Sequence, residues 1–410
     1  MRHFSNLLVL TCLCPSVGLA QEADPGGVFF TFDFSQEFEA STDSDLVTEE
    51  VEDGLVSTTS LDFEAVTETR TQRLAFELGT DLRIDEDDIV LDSNTVGLTY
   101  ARTGADAEFE ASLAFQRADI SFLRDITDFI GDDGVIVLPD DIDELTGSGF
   151  RNTSTFATSL SWNETAPIGY SFGVGVETLR YEDASTALVD SDMATVDVGV
   201  RFDLSAVITA NVALGFERLE EDGEAAENTQ SLSTALTFDR PLGDLTARLT
   251  ASRDDDGDTF WAAVLERSFA VPGGNFEGAL GVAEDEVGDA QVTARLSYDK
   301  DIPSGLVSVS AERDVGAGAD SGTTTLQASY ERDLSPITNI RFGFDFGQSE
   351  EFDSDTTIAT GGVSIRYGYE LTPLWELNVG ARADARDDDG LRTNSSTIFL
   401  SLDRVYSWRP

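Results

Sequence analysis

Between residues 27 and 408 the chain alternates, apolar then polar or small, in segments of about ten residues, and no other feature narrows the possible folds so far. Val196, Val198, Val200 and Phe202 alternate with Asp197, Gly199, Arg201 and Asp203. Val292 to Tyr298, Ile340 to Phe346 and Trp375 to Ala381 repeat the pattern. A period of two is that of a β-strand with one apolar and one polar face, whereas a helix would need 3.6. Two kinds of connection take turns between the segments. Short ones carry Pro241, Pro272, Pro303, Pro336 and Pro373, spaced 31 to 37 residues apart, which is a tandem array of hairpins. The others are mostly acidic: 85–88, 220–227, 254–258, 316–321, 350–355 and 387–390. About 20 strands are expected, and 18 if the poorly alternating segment 258–270 is not one of them.

A soluble sandwich would also alternate, with the apolar face as its core. Strands of ten to fourteen residues are longer than the usual five or six, however, and match the ~9–11 tilted residues that cross an outer membrane. Acidic and arginine residues occupy the polar face at mid-strand, and the apolar face has none there. Aromatic residues close the apolar face beside the short turns, notably Trp162, Tyr170, Tyr298, Tyr330, Tyr367, Tyr369 and Trp375, as in an interfacial girdle. No second apolar run is long enough for a membrane helix, so the route across a bilayer is a closed barrel.

Composition removes whole classes of function. With 26 basic against 78 acidic residues and a formal net charge of −52, the chain lacks the basic footprint that nucleic acid requires. Both cysteines, Cys12 and Cys14, and the only histidine, His3, precede residue 21. The opening reads as a secretory signal peptide over residues 1–20: Arg2 and His3, an apolar run from Leu7, then Gly18-Leu19-Ala20 before the cut. Residues 21–410 then form one barrel domain without thiol or imidazole, which excludes histidine- and cysteine-dependent catalysis, disulfides and the usual zinc sites. No cofactor and no metal is expected. Ser252 to Gly257 comes nearest to a calcium loop, but serine stands at its first position and Ala263 at the twelfth.

At this point the sequence resembles the Gram-negative outer-membrane β-barrels, porin-like, over nearly all of residues 27 to 408. The last segment adds to the resemblance: Ile398, Leu400, Leu402, Tyr406 and Trp408 are similar to the aromatic insertion signal of that class. It departs from the class pattern in ending Trp408-Arg409-Pro410 and in Arg404, which interrupts the apolar row. The resemblance implies an all-β, antiparallel, up-and-down transmembrane barrel with short periplasmic turns and long acidic external loops. It also implies an outer-membrane location, with membrane lipid, lipopolysaccharide and the barrel-assembly machinery as partners.

The function expected is a channel for passive diffusion of small hydrophilic solutes, preferring cations. The longest loop, 119–149, is third among the external loops, where general porins carry a constriction loop. Asp132, Asp133, Asp140, Asp141, Asp143 and Glu144 would narrow the pore opposite lumen arginines Arg201, Arg248, Arg295, Arg366 and Arg382. A solvated loop that only caps the barrel, and arginines that only neutralise lumen acids such as Asp197, Glu277 or Asp384, fit the same residues. Weak divalent cation binding at the acidic loops is a further expectation. The alternative class is a structural or secretion barrel, for example for polysaccharide export, without spontaneous conductance. An enzyme built on a carboxylate pair has no fixed pair to point to. A plugged iron-complex receptor is disfavoured because the first strand begins within ten residues of the cut, and the 85–88 loop is too short to latch a trimer.

Overall fold

The computed structural model describes residues 26–42, 54–84, 89–120, 149–183, 188–223, 225–255, 257–319, 321–352, 357–388 and 391–409. Twenty strands follow one another: β1 Gly27–Thr42, β2 Gly54–Thr69, β3 Gln72–Ile84, β4 Ile89–Thr103, β5 Ala107–Asp119, β6 Phe150–Trp162, β7 Ile168–Glu182, β8 Ser191–Ser205, β9 Ile208–Glu221 and β10 Glu227–Phe238. The second half continues with β11 Leu245–Arg253, β12 Thr259–Val271, β13 Gly274–Glu284, β14 Ala290–Ile302, β15 Gly305–Asp314, β16 Ser321–Ser335, β17 Thr338–Glu351, β18 Thr357–Thr372, β19 Trp375–Asp388 and β20 Leu391–Trp408. Every strand pairs antiparallel with its neighbours in sequence, and β1 pairs with β20 from Phe30↔Trp408 to Thr42↔Ser396. The sheet is therefore a closed up-and-down barrel, and closure removes the exposed edges that a flat sheet would present.

The register carries the sequence alternation round the whole ring. Phe342 of β17 lies between Tyr330 of β16 and Ile365 of β18, and Val198 of β8 between Phe172 of β7 and Leu214 of β9. One face is thus an unbroken apolar wall, and it points outward: Leu214, Leu249, Leu265, Leu280 and Val292 are each more than half exposed. Polar and charged residues make up more than half of the buried side chains, among them Thr195, Asp345, Asn378, Arg386 and Ser401. A soluble fold is built the other way round. An exposed apolar surface of this extent has no place in water, where patches beyond a few hundred Å² mark an interaction surface.

Three of the four register shifts lie at the short-turn ends, between Asp203/Ser205, Asp333/Ser335 and Glu370/Thr372; the fourth is at Asp81/Leu82. Segment 258–270 is a strand, β12, and its weak alternation has a physical reason. Phe260, Ala262 and Val264 point inward, and Phe260 is buried beneath the β15–β16 connection. An apolar residue is tolerated on the inner wall where a loop keeps water away from it.

Candidate functional site

The inner wall is the candidate site, and its sectors differ. On β19, Arg382 Nε donates to Asp384 Oδ1 at 2.7 Å, and its Nη2 donates to Asp345 Oδ2 of β17 at 3.3 Å. The three side chains are only 16%, 7% and 9% exposed. Room for this cluster comes from Gly362 on the intervening β18: a Cβ there would run into Asp384 and lie 2.8 Å from Arg382 Nη2 and 2.9 Å from Asp345 Oδ2. Beside it Arg366 stands 5.1 Å over the inward ring of Phe399, which lies across Gly380.

On β1–β3 the same inner surface groups three carboxylates without a guanidinium, although Arg73 nearer the short turn meets Glu64 at 3.6 Å. Asp33 and Asp62 are register partners, and Asp81 is one inward position further along β3. None of the three has an ion pair among the described residues. Nearby, Asp403 of β20 is held by neutral donors: Ser35 Oγ and Asn378 Nδ2, each at 2.5 Å, and Ser401 Oγ at 3.0 Å.

The other predicted lumen arginines have separate surroundings. Arg295 pairs with Glu312 on β15, its Nε donating to Oε1 at 2.8 Å. Arg248 is exposed on β11 without an ion pair among the described residues. Arg201 serves the short turn between β6 and β7, donating to the carbonyls of Glu164 at 2.6 Å and Ala166 at 2.9 Å. That turn also receives Asp106 from the neighbouring one: Thr165 Oγ1 donates to Asp106 Oδ1 at 2.7 Å and Thr165 N at 3.0 Å. These two hydrogen bonds, the hydroxyl first, hold the Asp106 carboxyl below the ordinary carboxylate range, and the Arg201 charge acts in the same direction.

At the opposite, external end the β15–β16 connection and the described start of the β5–β6 connection, Ile120, pack on the inner wall. The β15–β16 loop folds across β11–β13: Ser252 Oγ donates to the Ala317 carbonyl at 3.0 Å, Gly318 N to Glu284 O at 2.7 Å, and Glu286 N to Ala319 O at 3.0 Å. Gly318 takes a φ of 78°, and a Cβ there would sit 2.5 Å from the Phe260 ring, so the left-handed turn and the close approach both require glycine. Val315 and Ala319 close an apolar cluster on inward Ala283, which is fully buried. Across the barrel, Ile120 and Leu188 pack on inward Ala118 and on Tyr181, and Ile120 is also fully buried. Ile120 is the last described residue before the long loop, and its amide bonds to Gly149 at the far end of that loop. These connections, β5–β6 and β15–β16, stand ten strands apart in a ring of twenty.

The carboxylates Asp132, Asp133, Asp140, Asp141, Asp143 and Glu144 lie outside the described residues, as does the segment 1–20. The calcium-like segment is an ordinary loop turn, in which Asp254 Oδ1 accepts from the amides of Gly257 and Asp258, both at 2.9 Å.

The aromatic residues line the outer wall near the short turns. Trp162 and Tyr170 stack at 5.3 Å, Tyr330 meets Phe342 at 6.1 Å, and Tyr298 pairs with Phe276. Tyr367, Tyr369 and Trp375 continue the row on β18 and β19. At the seam, Tyr406 and Trp408 are 5.5 Å apart, and Trp408 stacks on Phe30 at 5.1 Å.

Sequence reasoning missed the inward β15–β16 loop, although Gly316-Ala317-Gly318-Ala319, without a charge in a row of acidic connections, was its signal. It also missed the arginines at the ends of the outer wall: Arg117, Arg180, Arg218, Arg313 and Arg392 at the external end, and Arg102, Arg267 and Arg332 at the other. In most of them the apolar alternation stops short of the strand end, and at Arg267 it is interrupted before Phe269 and Val271.

No family model matches the chain, and no curated protein matches it. Among solved structures, the siderophore receptor PirA of Acinetobacter baumannii is 8% identical, with 92% of this chain and 80% of that one covered at a TM-score of 0.53. PirA of Pseudomonas aeruginosa is 11% identical, covering 93% and 81% at 0.50. The outer membrane protein OpdK of Pseudomonas aeruginosa is 12% identical over 93% and 99%, a looser likeness at 0.41. At such identities the receptor barrels share the fold with this chain and nothing finer. That fold is the Gram-negative outer-membrane β-barrel.

Proposed function

We propose that the protein is a channel in the outer membrane of a Gram-negative bacterium, through which small hydrophilic solutes diffuse passively, with a preference for cations. The observation that carries this reading is the inversion of the wall: the outside is apolar around the whole ring, and the inside is polar on every strand. Twenty strands fall between the ~16–18 of barrels with an aqueous channel and the ~22 of barrels with a plugged lumen. Cation preference follows from the inner surface, where Asp33, Glu37, Glu39, Asp62, Glu64, Glu77 and Asp81 share β1–β3 with just two inward arginines among the described residues, Arg73 and Arg83. The inward β15–β16 loop narrows the external mouth on one side. The 119–149 loop, with its carboxylates Asp132 to Glu144, narrows it on the other. On this reading the partners are lipopolysaccharide and membrane lipid outside and small solutes inside, with Tyr406 and Trp408 presented to the assembly machinery.

The two apolar clusters at the mouth also favour a second reading, a barrel closed at rest that serves structure or secretion. Refolded protein in a planar bilayer separates the two. Stepwise conductance with a cation-selective reversal potential, increased on deleting residues 121–148, is the expected result. An anion-selective potential overturns the charge preference alone. Silence from a heat-modifiable, folded barrel leaves the second reading, and recovery of the native protein as a soluble periplasmic species overturns both.

A further inference from the structure

Charged residues on the outer wall sort by the end at which they stand. At the external end five of the six outward arginines meet a carboxylate: Arg117 with Glu182 at 2.7 Å, Arg180 with Asp192 at 2.6 Å, Arg313 with Glu350 at 3.2 Å, Arg392 with Asp387 at 2.6 Å, and Arg218 with Glu220; Arg253 of β11 is the exception among the described residues. At the short-turn end the outward positions carry Arg102, Arg267, Lys300, Arg332 and Arg404, all within four residues of a strand end. Among the described residues no carboxylate occupies an outward position at that end, and none of the five has an ion pair. That is the reverse of what a chain with 78 acidic and 26 basic residues would place there at random.

Three of these cations form an arc. Arg267, Lys300 and Arg332 lie on β12, β14 and β16, alternate strands; in the ladder Arg267 is level with Leu296 and Arg332 with Ile302, so Lys300 stands roughly 16 Å from the first and about 12 Å from the second along the backbone surface. The strands between them present Gly274 and Gly278 of β13 and Gly305 of β15 outward. Side chains are barred there, since a Cβ at Gly274 or Gly305 would collide with the carbonyl of Asp299 or Glu331. The wall is thus bare backbone at Gly274, beside Lys300, and at Gly305, beside Arg332, each recessed by the length of a side chain, while the outward Phe276 ring leans against Gly278. Arg267 lies 4.6 Å over the Phe269 ring, and Arg404, further round, 4.9 Å over Trp375, which holds both guanidinium groups at the level of the aromatic row. Cations anchored at a membrane interface, without protein anions to answer them, are placed for phosphate.

We propose that the arc Arg267–Lys300–Arg332 binds the headgroups of anionic phospholipid in the periplasmic leaflet, with phosphates seated over the glycine recesses beside Lys300 and Arg332. The proposal rests on the membrane reading above, with the short turns facing the periplasm. It gives the lysine at position 300 a role, as a compact ammonium on a flexible stem that reaches up to the phosphate level.

The test uses the full-length barrel in nanodiscs of equal parts phosphatidylcholine and phosphatidylglycerol, with retained lipids counted after gentle delipidation. Phosphatidylglycerol is expected to be enriched several-fold, with that preference reduced in Lys300→Gln and lost in R267Q/K300Q/R332Q. Lys300→Arg should restore it, and Arg248→Gln, in the lumen, should leave it unchanged. Equal retention of the two lipids, or an enrichment that the triple variant keeps, overturns the proposal. So does preferential capture of added lipopolysaccharide by the arc, which would put this end in the outer leaflet. Failure of the membrane reading shows differently, as a barrel that enters no nanodisc. All three side chains lie on the outer surface, and heat-modifiable migration reports that each variant is folded.

Discussion

The two inner sectors that flank the seam use carboxylates in opposite ways. On β17–β19, Asp345 and Asp384 are nearly buried, and Arg382 lies between them over the bare backbone of Gly362. On β1–β3, Asp33 faces Asp62 directly across the ladder with Asp81 close by, and no arginine answers them. A carboxylate packed with its counter-ion is wall; one without a counter-ion is field. The difference is that the first sector has lost its charge to structure, while the second keeps it available to whatever passes.

Removing the counter-ion is the strongest way to break that contrast. Arg382→Ala leaves two poorly hydrated carboxylates facing each other, at a cost of ~3 kcal/mol or more, and the urea midpoint for loss of the heat-modifiable band should fall accordingly. Ion selectivity should shift only modestly toward cations. Next, Gly362→Val forces a side chain into the space that the cluster fills, for ~1–3 kcal/mol, read in the same titration. A variant as stable as the wild type would show that the cluster is looser than its geometry. Asp33→Asn works in the other direction. Relief of a like-charge pair should raise stability by about 0.5 kcal/mol, and the reversal potential should move toward zero, because the carboxylate without a counter-ion contributes to the lumen field. An unchanged potential with raised stability would remove β1–β3 from the selectivity argument. Smallest is the turn carboxylate outside both sectors. Asp106 titrates lower in the folded barrel than unfolded, so its stabilisation is complete above the ordinary carboxylate range and disappears as pH falls through the depressed value. The stability difference between wild type and Asp106→Asn should therefore be present at neutral pH and close toward acid.

The strands were legible because alternation is local: each outward residue announces itself by its own hydrophobicity and that of its second neighbour. Twenty strands follow from it, and the doubtful one, β12, is doubtful for the reason the fold supplies, a loop laid over Phe260. What a polar residue does once it faces inward is not local. Arg201 and Arg382 are both inward arginines near acids in sequence, yet one holds the carbonyls of a turn and the other two carboxylates. Their destinations depend on which strand lies alongside and, for Arg382, on a glycine of the adjacent strand. Loop direction is equally hidden, because Gly316 to Ala319 turns inward through contacts with Ser252, Glu284 and Phe260 that lie 30 to 65 residues earlier.

The seam between β1 and β20 has a consequence in time. Its ladder joins positions some 370 residues apart, among them Ser35 and Asp403, while every other pairing joins neighbours in sequence. Each hairpin can form as soon as its own residues meet, but the ring must hold two open edges until its far ends find each other. Loop-closure entropy grows only as the logarithm of length, so the delay is a matter of search more than of stability. The slow, vulnerable species of this protein is a nearly complete sheet that has not yet become a cylinder, with Phe30 and Trp408 as the first aromatic contact available to fasten it.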